Sequence, residues 1–261
     1  MSTFISDYLV QLENQWKEID LLIVEAGNSL NRGDTAFYDS LCRSISVLMV
    51  AHMEGYLKGV TKCLVGDLND HLKFKELPAA IQRTHCKKYL GFDQDVLPKY
   101  QMVMTEMIDD LSSSDIKISF EPFLFDNNRN PKPESLKIVC CRFGVNDIFA
   151  NLHESIFDNT FESDVILSRQ LRRFEKLVKL ATNEFPYRAK VTNFGLMPKK
   201  YNGARTLWQS FLDNLNQIRH KIAHGNTFEN FDGIADLKRR RDQVKLLKLV
   251  VTYVLCAKVC I

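Results

Sequence analysis

The sequence predicts an all-α protein. Three observations lead there. The 261 residues include only 11 Gly and 7 Pro, so turn-forming residues are scarce. Apolar side chains recur at spacings of three and four along most of the chain, the period of a helix with one buried face. Alternation by two, the mark of a strand, occurs in one short stretch only. With 45% hydrophobic and 26% charged residues, the chain has the composition of a globular protein with ample core. A single domain over residues 1–261 is expected, with residues 112–135 as a loop or arm-like insertion.

The elements follow in order. Residues 4–30 read as a first helix, with Tyr8, Leu12, Trp16, Ile19 and Ile23 on one face. A turn through Asn31, Arg32, Gly33 and Asp34 follows, and Asp34 or Thr35 is placed to cap a second helix over 36–67. Its expected core face is Phe37, Leu41, Ile45, Leu48, His52, Tyr56 and Val60. Residues 68–111 look helical but broken at Pro78 and Pro98. In 112–135, Ile116, Ile118 and Phe120 alternate as in a short strand, before a turn-rich run from Asp126 to Pro133. Short helices are expected near 134–143 and 145–152. Ser163 is placed to start a helix to about Asn183, with Ile166, Leu171, Phe174, Leu177, Val178 and Ala181 on its apolar side. Arg169, Arg172, Arg173, Lys176 and Lys179 occupy its other side. After a connector over 184–205 comes a helix from Leu207, and Asp232 is placed to cap a last one.

No apolar run reaches membrane-spanning length. The best candidate, residues 246–261, contains Lys248 and Lys258 and reads as a buried terminal helix. Phe4, Ile5, Leu9 and Val10 are broken up by Asp7, so no export signal is read and a cytoplasmic, membrane-free protein is expected. Seven cysteines, an odd number without a C-x-x-C pair, then read as reduced core thiols.

The chemistry concentrates in residues 207–226, LWQSFLDNLNQIRHKIAHGN. Leu207, Phe211, Leu215, Ile218 and Ile222 form an apolar stripe, and Gly225 with Asn226 beside it gives a stop. Arg219, His220, Lys221 and His224 crowd the last turns. Arg219 carries a planar, permanent cation suited to a phosphate or a pentacovalent phosphorane. An imidazole takes and gives protons near neutral pH, so His224 suits general acid–base work. RNA supplies its own nucleophile, the 2′-hydroxyl. A base and a cation therefore suffice, without metal or other cofactor.

Arg219-x4-His224, read as RHKIAH and closed by Gly225, resembles the signature of the HEPN superfamily. Residues 46–62, SVLMVAHMEGYLKGVTK, resemble the long early helix of its RiboL-PSP-HEPN branch. The resemblance implies a HEPN-like helical bundle, often dimeric, and often a metal-independent endoribonuclease of toxin–antitoxin or antiviral-defence systems. Catalytic roles would fall on Arg219 and His224. His220, Lys221 and Asn226 would support them, and Glu54 would pair with Arg219 or orient a histidine. Some members only bind partners, such as an antitoxin or a nucleotidyltransferase. Glu54 also reads as an ordinary half-exposed helix glutamate.

Charge is uneven. Residues 169–261 hold 19 Lys/Arg against 7 Asp/Glu, and residues 1–168 hold 16 against 25. Either the C-terminal part meets an anionic partner, or the acidic part packs against the basic part. Arg172, Arg173, Arg239, Arg240 and Arg241 are candidate RNA contacts, directed at phosphates because no aromatic residues interleave with them. The motif itself has a structural alternative, with Arg219 salt-bridged inside the bundle and His224 at the negative end of its helix dipole. His220 and His224 have a zinc-like i, i+4 spacing, but no third ligand is evident nearby. P-loop, dinucleotide-binding and serine-hydrolase motifs are absent. On an ideal helix Arg219 and His224 point roughly 140° apart. Three things would bring their tips together: the length of the arginine, unwinding of the last turn at Gly225, or a second copy of the helix across a two-fold axis. The HEPN resemblance implies the third, a homodimer.

Overall fold

Two long antiparallel helices set the frame, and the others pack against them. The structure, a computed structural model, describes residues 2–93, 99–125, 131–225 and 232–260. Helix α1 (Phe4–Asn31) starts where the Thr3 hydroxyl accepts the Ser6 N–H, and buries Ile5, Leu9, Leu12, Trp16, Ile19 and Ile23. Its first N–H groups, on Phe4 and Ile5, donate to the buried Asp67 carboxylate at 2.8 and 3.1 Å. Gly33, at φ +77°, turns the chain. Asp34 then caps α2 (Thr35–His71) by accepting the Phe37 N–H. The pair approaches closely at Gly59, where a Cβ would run into the Tyr8 ring.

The expected face of α2 is rotated. Ile45, Tyr56 and Val60 are buried as expected, but Phe37 is exposed, while Leu41, Leu48 and His52 are only half-buried. Cys42, Met49, Val50, Met53 and Leu57 are buried instead. The cause is position, because α2 packs against α1 and two later helices at once and is buried on more than one side.

The middle of the chain is a run of short helices: α3 (Ala79–Leu90), α4 (Tyr100–Ser112), α5 (Pro133–Arg142) and α6 (Ile148–Leu152). Pro78 precedes α3 and Pro133 opens α5, as fits a residue with no N–H to donate. Pro98 and residues 126–130 lie outside the described residues. No strand forms among the described residues. The alternation at 116–120 has another cause. The Asn69 side chain accepts from the Ile118 N–H at 2.8 Å and donates to its carbonyl at 2.9 Å, taking the place of a neighbouring strand. Ile118, Pro122, Phe123 and Phe125 of this stretch are buried.

Helices α7 (Asp164–Thr182), α8 (Leu207–Ala223) and α9 (Ile234–Val259) complete the chain. Ser163 caps α7, whose buried residues include Leu167, Leu171, Phe174, Val178 and Ala181. Thr206 and Gln209 form a reciprocal capping box on α8. The expected cap at Asp232 is not used. Gly233 holds that position and its N–H donates to Asp236, while Asp232 pairs with Arg240.

Long-range contacts fix directions. Tyr38 donates to the Asp232 carbonyl and Tyr56 to that of Lys248, so α2 and α9 run parallel. Asp164 meets Arg239 and Glu175 meets Lys245, so α7 runs with them. Asp20 meets Arg241 while Trp16 meets Lys248, so α1 runs against them. The α1–α2 turn and the start of α9 therefore share one end of the bundle.

Candidate functional site

Helix α8 has two unlike halves. Trp208, Phe211, Leu212, Leu215 and Asn216 are buried, with Trp208 packed edge-on to Phe161 at 4.8 Å between ring centres. Asn216 donates to the Pro131 carbonyl at 3.2 Å. After Asn216 no residue of α8 is buried. Ile218, Arg219 and Ile222 are half-buried, while Gln217, His220, Lys221, Ala223 and His224 are exposed. Leu207, the first residue of the expected apolar stripe, is 49% exposed, and Trp208 takes its place in the core.

The tip is a cluster of cations and imidazoles without counter-charge among the described residues. Among the described residues, the side chains of Arg219, His220, Lys221 and His224 form no hydrogen bond or ion pair with this chain. The His220 and His224 rings lie side by side, 4.2 Å between centres and tilted by 52°. His224 closes the helix, its N–H on the His220 carbonyl at 3.1 Å, and Gly225 turns away at φ +66°. That turn needs a left-handed backbone, which suits glycine. The helix thus holds His224 on the face of His220 to its last turn and does not swing it towards Arg219. No third His, Cys, Asp or Glu joins these histidines in a metal-holding group among the described residues. Asn226 lies outside the described residues.

The RiboL-PSP-HEPN family profile matches residues 11–256. The chain belongs to the RiboL-PSP-HEPN family. Membership suggests an RNase or a nucleotide-binding module. No curated protein and no solved structure matches the chain.

Within this HEPN chain the other expected site residues separate from the tip. Glu54 pairs with Lys58, one turn along α2, at 3.1 Å, and not with Arg219 or a histidine. Arg239 bonds Asp164 at 3.2 Å and the Phe161 carbonyl. Arg240 is paired with Asp232, and Arg241 with Asp20 and Asp242. All three arginines, expected at phosphates, are held by carboxylates of their own chain. Two of those carboxylates lie in the acidic part of the sequence, so the charge asymmetry is partly internal. Arg172 and Arg173 are exposed, and neither has a carboxylate partner among the described residues. Among the described residues no helix is long and apolar enough to cross a membrane.

Sequence reasoning missed the amine of Lys248. It lies 2% exposed, 4.5 Å from the centre of the Trp16 ring, with no hydrogen-bond partner. Burial pushes it down to about 7. The i, i+3, i+4, i+7 pattern around Val244, Leu247, Val251 and Leu255 was the available signal, since Lys248 falls inside it.

Proposed function

We propose that this protein is a metal-independent endoribonuclease with its site at the tip of α8, and a toxin or antiviral-defence effector in its biology. One observation carries the reading: Arg219, His220, Lys221 and His224 gather at an exposed helix end with no compensating carboxylate among the described residues, whereas Arg239–Arg241 of the next helix are compensated. A charge cluster left open suits an anion from outside.

In the proposed reaction a base removes the proton of an RNA 2′-hydroxyl. That oxygen attacks the adjacent phosphorus, and the bond from phosphorus to the 5′-oxygen breaks. The leaving oxygen takes a proton, giving a 2′,3′-cyclic phosphate and a 5′-hydroxyl. His224 serves as the base or the acid. Arg219 balances the charge on the phosphorane, and His220 and Lys221 hold phosphate. Arg219 sits on another side of the helix from the histidine pair, so the set is completed by a second copy across a two-fold axis. The half-buried Ile218 and Ile222 offer apolar surface for that contact.

The test is purified protein with single-stranded RNA in EDTA. Wild type should leave cyclic-phosphate ends, and His224→Ala should not. Equal cutting by the two proteins overturns the assignment. Sedimentation across a dilution series should show a dimer at micromolar concentration. A strict monomer that still cleaves would refute the shared site. The divergence of Arg219 from the histidines also favours a second reading, a catalytically silent module that binds an antitoxin or nucleotidyltransferase. Toxicity on expression that vanishes with Arg219→Ala decides for the enzyme.

A further inference from the structure

The outer face of α7 is an uncompensated basic surface away from the tip. Arg169, Arg172, Arg173 and Lys176 stand at i, i+3, i+4 and i+7, all exposed. Their opposite face, with Leu167, Leu171, Phe174 and Val178, is buried against the rest of the bundle. Among the described residues none of the four meets a carboxylate; Arg172 donates only to the Ser168 carbonyl, at 3.3 Å. The next cation along, Lys179, differs, because it is tied to Glu13 and Glu175. The open part is thus a ridge of four charges about 10 Å long. It begins just after the start of α7, where Phe161 packs on Trp208 at the anchored half of α8.

We infer that this ridge binds the sugar–phosphate backbone of a single-stranded RNA whose scissile bond lies at the tip of α8. The inference rests on the endoribonuclease reading for the second half of that statement and on charge alone for the first. Four like charges within one helix face repel one another, and a polyanion relieves that by displacing its own counterions. The residues flanking the ridge, Val165 and Leu180, are exposed and aliphatic, each 76% accessible. Without an aromatic platform the ridge is directed at phosphates, with stacking left to guanidinium planes that accept any base, so binding is indifferent to sequence. Single-stranded RNA is the fitting partner because 2′-oxygen attack in line with the leaving group needs a backbone free to rotate.

The experiment uses the full chain and a mixed-sequence 2′-O-methyl RNA, which lacks the nucleophile and cannot be cut. Affinity is measured across a salt series. Each phosphate contact to a single strand adds roughly 0.7 to the slope of log affinity against log salt, so Arg172→Ala with Arg173→Ala should flatten it by about 1.4. Arg172→Glu with Arg173→Glu should weaken binding at least about tenfold at low salt. Both pairs are exposed and should melt like wild type. Unchanged affinity and slope in both variants overturn the ridge. So does binding to phosphatidylserine vesicles or an acidic polypeptide with none to the RNA. Cleavage of unmodified RNA that persists while these variants bind normally sinks the ridge and leaves the tip standing. Ridge-dependent binding without any cleavage does the reverse.

Discussion

The tip of α8 and the first turns of α9 carry similar runs of cations, RHK in one and KRRR in the other. Their surroundings differ. On α9 each arginine has a carboxylate brought from elsewhere, Asp164, Asp232 or Asp20, and the cluster ties α9 to α7 and α1. At the tip no carboxylate arrives among the described residues, and no side chain is buried. A run of charge in a sequence therefore says little by itself. Whether it holds the fold or faces a partner depends on which acidic residues the topology delivers, one of them, Asp20, 221 positions from Arg241.

The sharpest test of that contrast exchanges the expected losses. Arg219→Ala or His224→Ala should lower cleavage by about 100-fold or more, while stability stays within about 0.5 kcal/mol of wild type. Arg240→Ala should do the opposite. Its pair with Asp232 is well shielded, at 19% and 17% side-chain exposure. Unfolding in urea should show a loss of roughly 2–3 kcal/mol, with cleavage per folded molecule unchanged. If both substitutions damage the same property, the two clusters are not different in kind.

Lys248 extends the comparison to a cation that, among the described residues, meets only the Trp16 and Tyr56 rings and no carboxylate. A methionine there keeps the length of the chain and removes the buried amine, so Lys248→Met should stabilise the protein by about 1–3 kcal/mol. The pH dependence follows from burial. The folded amine gives up its proton near 7, against 10.5 for a free lysine. Between those values the unfolded chain holds more protons, so this group makes stability rise with pH across that window. The advantage of Lys248→Met should be largest below pH 7 and shrink as pH climbs towards 10. A constant gap in melting temperature would mean that the amine is not titrating in the core. The smallest effect belongs to Glu54→Gln, which breaks only a half-exposed bridge to Lys58. A loss of about 0.5 kcal/mol or less is expected, with no change in cleavage. Strong inactivation would return Glu54 to the site.

The fold class and most helices were legible because they rest on local signals. Asp34 and Ser163 start helices from their own side-chain chemistry, and period counting found Leu171, Phe174, Val178 and Ala181 on α7, while Ile166 and Leu177 are only half-buried and Leu167 is buried beside them. The α2 face was misread because periodicity assumes one buried side, and α2 has several neighbours. The short strand was misread because Asn69 supplies both hydrogen bonds that a partner strand would give, from 49 positions away. At the site, RHKIAH was visible as a pattern, while the fate of Arg239–Arg241 was not. That depended on Asp20, 221 positions from Arg241.

The unequal halves of α8 have a consequence for amide hydrogen exchange. The backbone from Trp208 to Asn216 is shielded by buried side chains and should exchange only when the bundle opens. From Gln217 onward only the helix's own hydrogen bonds protect the amides, so they should exchange by local fraying, far faster. Between the two halves protection should fall within one turn, after Asn216. In a dimer closed over the tip, that fast half would slow as protein concentration rises, while the anchored half would not change.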